Sequence, residues 1–390
     1  MTDSKFRRLP VGIQSFKVIR EENYLYVDKS DIVWNMVNLG DKYNYLSRPR
    51  RFGKSVLVDT LESYLEGRKD LFEGLKIMQL EKDWKQYPVI RLDMSRGGAN
   101  EDTLRSYLNL RFKDYEEKYN ITPDPTAMLA DRFHAIIATD YKQTGLRVAV
   151  LIDEYDSPLQ HSWRTPEHEK CTGVYREVFA ILKADDEYEQ FIFITGITKF
   201  TQISLFSVLN NLSNISFDAP YATICGISKQ EAADNFMPEI EAMGEENGWT
   251  PEETLKQLTA YYDGYHFCRK NMVDIFNPFS LINALDDREL RNYWASSGAT
   301  SLLPKFVDDM EMKMEYFDHC FIEGDTLETS DVVNGGAELF LYQSGYLTIK
   351  GYDDGVYILG FPNFEVRKAL YRVVVPALTA EKTTQRGWRW

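Results

Sequence analysis

A chain of 390 residues is long enough for two or three domains. With 14% aromatic residues, including 24 Tyr and 22 Phe, most of it must fold rather than stay disordered. The net charge of −15 opposes any nonspecific coating of DNA. No stretch approaches the ~18 consecutive apolar residues of a membrane helix, and the opening MTDSKFRRLPVG contains no apolar leader core. The four cysteines, Cys171, Cys225, Cys268 and Cys320, form no CxxC pair, so neither a zinc knuckle nor a redox motif is indicated. These features predict a cytoplasmic protein with reduced thiols.

Residues 42–47 read as a short strand and 54–66 as a helix, separated by RPRRFG. A β-rich run follows at 88–94, then two amphipathic helical stretches at about 101–119 and 125–144. Residues 147–153, RVAVLID, are nearly continuous apolar and β-branched, as expected of a parallel strand buried on both faces. Helical character returns at about 167–185, and 190–196 is another buried-strand candidate. Strands alternating with helices predict a doubly wound α/β sheet.

The pattern changes after about residue 226. Ser228 with Glu231, and Thr250 with Glu253, are capping-box signals, the second with Pro251 at the first helical position. This part reads as helical to about 295. Nearer the C-terminus the order is helix (335–344), strand (346–350), an Asp354-Gly355 turn, strand (356–360) and helix (364–378). That order suits a winged-helix module. The tail from 380 reads as loosely ordered.

The most informative segment is Ser47-Arg48-Pro49-Arg50-Arg51-Phe52-Gly53-Lys54-Ser55. A phosphate-binding P-loop reads GxxxxGK(S/T) between a strand and a helix. Here Gly53, Lys54 and Ser55 are in place, and Arg48 stands where the first Gly belongs. Amides at the helix start face phosphates, Lys54 reaches the β- and γ-phosphates, and the Ser55 hydroxyl ligates Mg²⁺. Arg48, Arg50 and Arg51 add three cations in an otherwise acidic chain. The second motif is the strand ending in Asp153 and Glu154, a Walker B pattern. Asp153 would serve the metal and Glu154 would polarise the attacking water. Alone, either motif is as readily an ordinary turn; together, on separate strands of one sheet, they point to a triphosphate site.

The expected ATP-binding set is Arg48, Arg50, Arg51, Phe52, Gly53, Lys54, Ser55 and Thr195. Glu154 and Lys54 are the expected catalytic pair, with Ser55 and Asp153 on Mg²⁺. Thr195 and Thr198 follow the next strand, where hydroxyls can sense a γ-phosphate, or simply end the strand; Lys199 shares that ambiguity. Asp156 reads either as a supporting group or as a helix cap. His266, in Tyr262-Asp263-Gly264-Tyr265-His266-Phe267, reads more readily as structural than as a nucleotide contact.

At this point the runs LPVGIQSFKVIREENYLYVDKS, SRPRRFGKS, VLIDEYDSPL, FITGITKF, YYDGYHF and IFNPFSLINAL resemble the bacterial AAA-ATPase-like family across about residues 8–378. The resemblance implies a predicted ATPase of the broad signal-transduction type. Arg48 matches the family's own RPRRFGKS form. It further implies that Tyr26, Asp28 and Lys29 lie near the adenine. Many members continue into a PD-(D/E)XK nuclease domain. Only about a dozen residues follow Thr379, so a piece of a longer gene product or a nuclease-less member is expected, and nuclease activity is not.

The expected architecture is thus an α/β P-loop NTPase with a parallel five-stranded sheet, followed by helical and winged-helix-like domains. The divisions fall at 1–226, 227–300 and 301–390. The expected function is a Mg²⁺-dependent ATPase acting as a nucleotide-gated switch. Two alternatives stand beside it: a nucleotide- or partner-binding scaffold without useful turnover, and a DNA-binding regulator using Arg367, Lys368 and Arg372 of the last helix. Expected partners are ATP and ADP, with a protein partner or second copy left open, DNA weak or absent, and no membrane.

Overall fold

The computed structural model describes residues 7–122, 124, 126–200, 212–296, 317, 319–330 and 335–372. Its centre is a sheet built from β1 (Tyr43–Ser47), β2 (Val89–Asp93), β3 (Val148–Asp153), β4 (Glu189–Gly196) and β5 (Ser213–Asn214). The spatial order is β2-β3-β4-β1-β5, and every neighbouring pair is parallel. β3 is buried at all six positions, as a strand covered by helices on both faces must be. The registers Ser47↔Gly196 and Asp93↔Asp153 bring the C-terminal ends of β1 to β4 to a common edge, where open α/β sheets hold their ligands. β5, only two residues long, carries no periodicity of its own and is set by pairing with β1.

Around the sheet lie α1 (Phe16–Glu21), α2 (Ser30–Leu39), α3 (Lys54–Leu65), α4 (Glu101–Lys118), α5 (Leu129–Thr144), α6 (Ser157–Ser162) and α7 (Glu167–Phe179). The helix expected from 125 begins instead at Leu129. The Asp124 carboxylate accepts from both the amide and the hydroxyl of Thr126, which stabilises a turn there in place of a helical start.

Beyond the sheet come β6 (Ile227–Ser228), α8 (Lys229–Asn247), α9 (Pro251–Tyr262), β7 (Ile275–Phe276) and α10 (Pro278–Asp287). Both expected capping boxes form, Ser228 with Glu231 and Thr250 with Glu253. α8 is irregular at Phe236, two residues before Pro238, whose ring cannot continue the hydrogen-bond ladder. These helices bury Phe236, Ile240, Met243, Leu258 and Leu281 in a core of their own, together with Leu25 from the N-terminal segment.

The C-terminal part contains β8 (Cys320–Glu323), α11 (Gly336–Ser344), β9 (Thr348–Asp353), β10 (Val356–Gly360) and a helix over 364–372. β8, β10 and β9 form an antiparallel sheet in that order, so the expected hairpin gains a third strand. Asp354 and Gly355 both have positive φ, 41° and 86°, as a two-residue primed turn requires. β9 starts at 348 rather than 346 because the amides of Tyr346 and Leu347 still close the end of α11 on the Leu341 carbonyl. Leu339, Leu341, Tyr357 and Leu370 join the same continuous core as the parallel sheet. The expected C-terminal division therefore shares its packing with the sheet, whereas the middle helices do not. The tail from 380 and residues 373–378 of the expected last helix lie outside the described residues. Among those described, no helix is long and apolar enough to cross a membrane, and the four cysteines are buried and form no disulfide.

Candidate nucleotide site

β1 ends at Ser47, and α3 begins at Lys54 with Gly53 as its N-cap at φ +85°. A Cβ on Gly53 would meet nothing within 4 Å, so glycine is demanded there by the left-handed backbone and not by space. The first helical bond of α3 runs from the Leu57 amide to the Gly53 carbonyl, which leaves the preceding amides without an intrahelical acceptor. Gly53, Lys54, Ser55 and Val56 line a cavity of about 570 Å³, so the positive end of a twelve-residue helix opens onto it.

The loop before the helix is anchored by its own side chains. Phe52 is fully buried, edge-on to Tyr265 and Phe267 at 4.7 and 5.3 Å. Its ring packs in the core, so its contribution to the cavity wall is that of an anchor holding the loop. Arg50 lines the cavity and acts electrostatically on Glu154. Arg51, also at the cavity, has φ +67° and rests over the Phe279 ring at 4.6 Å.

Arg48 corrects the expectation made for it. It is 2% exposed, and its guanidinium donates to the carbonyls of Ser47, Ser216 and Tyr221 at 2.8, 2.9 and 2.9 Å. It also lies over Phe267 at 4.2 Å. With these donors engaged and no place in the cavity wall, Arg48 clamps the loop to the 215–221 segment.

Lys54 is buried, and its ammonium donates to the Arg48 and Pro49 carbonyls at 2.9 and 3.0 Å. Burial pushes its pKa down, opposed by the carboxylates of Glu154 and Asp153. At the end of β3, burial raises the Asp153 pKa, while Ser55 and the charge of Lys54 act the other way. Glu154 is raised by burial too and is countered first by Lys54. Glu154 also stands at φ +47°, a left-handed conformation that costs a non-glycine residue about 1–2 kcal/mol. It is held there by its own amide to Asp153 Oδ1 at 2.9 Å and by the next amide, Tyr155, to the Thr195 carbonyl at 3.0 Å. Strain of this kind gathers where a side chain must be aimed.

The remaining predicted polar residues divide. The Thr195 hydroxyl donates to the Leu46 carbonyl across the sheet at 2.7 Å and takes no part in the cavity wall, which corrects its assignment as a nucleotide contact. Asp156 accepts from the amides of Ile197 and Thr198, the Thr198 hydroxyl and the Gln160 amide group, tying the exit of β3 to that of β4. Lys199 reaches the carbonyls of Glu328 and Thr329 in the C-terminal part. His266 bridges the Ile349 carbonyl and Asp274, the structural role that reads more readily from the sequence. Tyr26 and Lys29 do line the cavity, whereas the Asp28 carboxylate caps the amides of Ser30 and Lys76. Lys29 is paired with Glu231 at 2.5 Å.

Apolar residues from three separate segments complete the wall: Ile13 and Leu25 near the N-terminus, Ile224 and Ile227, and Pro278, Phe279 and Ile282 of α10. No local motif marks these walls; the family-like runs LPVGIQSFKVIREENYLYVDKS and IFNPFSLINAL contain the first and third segments, and 224–227 falls in neither. A smaller cavity of about 220 Å³ adjoins on the side of Glu154, bounded by Asp59, Arg91, Asp93 and Asp153. Arg91 bridges Asp59 and Glu62 there at 2.8 and 2.5 Å.

A phosphate loop on β1 facing a two-carboxylate strand end on β3, on a sheet of order β2-β3-β4-β1-β5, defines a P-loop NTPase fold. The model of the predicted AAA-ATPase family matches residues 10–206, and the chain belongs to that family. An uncharacterized protein in the vnfD 5′ region of Azotobacter chroococcum mcd 1 is 32% identical over 375 residues, covering 93% of this chain and 69% of that one. Among solved structures, Cdc6p from Pyrobaculum aerophilum aligns over 98% of this chain and 97% of its own at 12% identity, with a TM-score of 0.26, too low to bear on the fold.

Proposed function

We propose that this chain binds ATP in the larger cavity and hydrolyses it. The observation that carries the reading is that one cavity of about 570 Å³ is lined both by Lys54, the open start of α3 and Glu154 and by apolar side chains from three other segments. That is the chemistry of a triphosphate joined to a flat base, and the volume suits a molecule of that size. Lys54 would exchange its two loop carbonyls for phosphate oxygens. Asp153 and Ser55, which lie close enough to interact, are hard oxygen donors of the type Mg²⁺ prefers. The fit is partial by design: among the described residues no cluster of three or more His, Cys, Asp or Glu could hold a metal, so phosphates would complete the shell. The ion would supply charge neutralisation along the phosphate chain.

Glu154 is the proposed base. The oxygen of a water bonds to the γ-phosphorus, the bond to the bridging oxygen breaks, ADP leaves, and the water's proton passes to Glu154. Burial raises this carboxyl group's proton affinity, which suits a group that must accept a proton. A switch role is supported by where the C-terminal part sits. Gly345 is so close to Pro49 of the phosphate loop that a Cβ would fall 2.5 Å from its ring. The Tyr265 hydroxyl donates to the Gly345 carbonyl, and Gln343 accepts the Lys199 amide. A shift of the loop on binding phosphate would therefore be felt by α11 directly.

The test is paired. Lys54→Ala should abolish most ATP affinity by calorimetry. Glu154→Gln should keep affinity and slow single-turnover hydrolysis by about 10²–10⁴-fold. Equal affinity in Lys54→Ala and wild type would refute the phosphate loop, and wild-type turnover in Glu154→Gln would refute the base.

A further inference from the structure

We infer that Gln14 is a further catalytic residue, its carboxamide facing the γ-phosphate and the attacking water. The inference rests on the ATP reading above. Its first support is position. The two cavities share four wall residues, Gln14, Ser55, Ser95 and Glu154. Ser55 and Glu154 mark the reacting end of the proposed site, so Gln14 stands at that end.

The second support is the state of the side chain. Ser55 interacts with Asp153, and the Ser95 hydroxyl donates to Asp93 at 2.6 Å. Among the described residues, none hydrogen-bonds the Gln14 carboxamide. A polar residue that lines both cavities and whose side chain is left unbonded is available to a ligand.

The third support is the mount. Ser15 accepts the Val18 amide to cap α1 and donates to Asp59 Oδ2 at 3.0 Å. The Lys17 amide adds a second bond to Asp59, and Arg91 of β2 holds that carboxylate at 2.8 Å. Asp59 belongs to α3, the helix whose first turn presents Lys54 and Ser55. The N-terminal strap is thus fastened to the phosphate-binding helix one residue after Gln14, which positions a free side chain on a rigid support.

The chemistry fits. A base such as Glu154 takes the proton but fixes the water along only one direction. A carboxamide supplies an acceptor for the water and a donor for a γ-phosphate oxygen from one planar group, which aligns the two for in-line attack.

Gln14 is exposed, so its replacement should not disturb folding, and thermal melting of each variant checks this. Gln14→Ala and Gln14→Glu would be compared with wild type by calorimetry with ATPγS and with ADP, and by single-turnover hydrolysis of ATP with Mg²⁺. In Gln14→Ala, ADP affinity should hold within twofold, ATPγS affinity should fall about tenfold, as for a lost hydrogen bond to a charged group, and hydrolysis should slow at least as much. Gln14→Glu should bind ATPγS more weakly still, since its carboxylate repels the γ-phosphate. An unchanged ratio of ATPγS to ADP affinity in Gln14→Ala overturns the assignment, whatever the rate does. If wild type shows no turnover, the hydrolysis reading falls by itself, and the affinity ratio still decides Gln14.

Discussion

Replacing Arg48 by Met separates a structural cation from a phosphate ligand. Methionine roughly keeps the apolar length and removes every donor. Three charge-assisted hydrogen bonds, at 2.8, 2.9 and 2.9 Å, disappear and leave the Ser47, Ser216 and Tyr221 carbonyls without them. Each such bond contributes about 1.5–3 kcal/mol. Against this, the folded state no longer carries a cation that is 2% exposed, whose burial pushes its pKa down; that desolvation costs several kcal/mol. The stacking on Phe267 is also lost. The net destabilisation should be about 3–5 kcal/mol. For a chain of this length unfolding as one unit, that lowers the melting temperature by about 5 °C. Arg50→Ala is the contrast. Arg50 lines the cavity, so its loss should leave melting unchanged and weaken ATP binding. Thermal melts and ATP titrations on both variants settle the matter. If Arg48→Met melts with wild type yet binds ATP tenfold more weakly, the clamp is wrong and Arg48 is a phosphate ligand.

Gly53→Ala should cost about 1–2 kcal/mol of stability, because φ +85° is strained for alanine even though space is open; ATP affinity should drop as the loop amides turn away, and a variant equal to wild type in both would show that the loop tolerates another backbone. Asp263, 1% exposed, has its carboxyl pushed up to about 7 by burial. Its folded state therefore holds a proton that the unfolded chain releases near pH 4, so its stabilising contribution is complete below that pH and is lost as pH rises through about 7. Asp263→Asn removes this dependence, and the variant should gain on wild type by at most about 4 kcal/mol between pH 4 and pH 8 in denaturant unfolding. A difference that stays flat with pH would mean that Asp263 is ionised in the folded state.

Much of this protein was legible along the chain because the signals are local. The run 148–153 announces a strand buried on both faces by composition alone. Ser228 with Glu231 and Thr250 with Glu253 close their capping boxes within four residues, and Asp354-Gly355 turns a hairpin through its own backbone preferences. Gly53, Lys54, Ser55, Asp153 and Glu154 were readable for the same reason: a helix start and a strand end define where their groups point. What needed the tertiary structure is everything that depends on a partner far away in sequence. Arg48 and Lys54 carry the same formal charge six residues apart and both donate to carbonyls, yet those of 216 and 221 hold Arg48 away from the cavity wall that Lys54 lines. Thr195 looks like a sensing hydroxyl until Leu46, on the neighbouring strand, accepts its proton. β5 exists only because β1 offers it an edge. The apolar wall of the cavity and the placement of Gln14 come from segments more than 250 residues apart at their extremes, and no period or motif in the sequence records that they meet. Local backbone and side-chain chemistry is written in neighbouring residues; which donors remain free for a ligand is decided only when distant segments have taken the others.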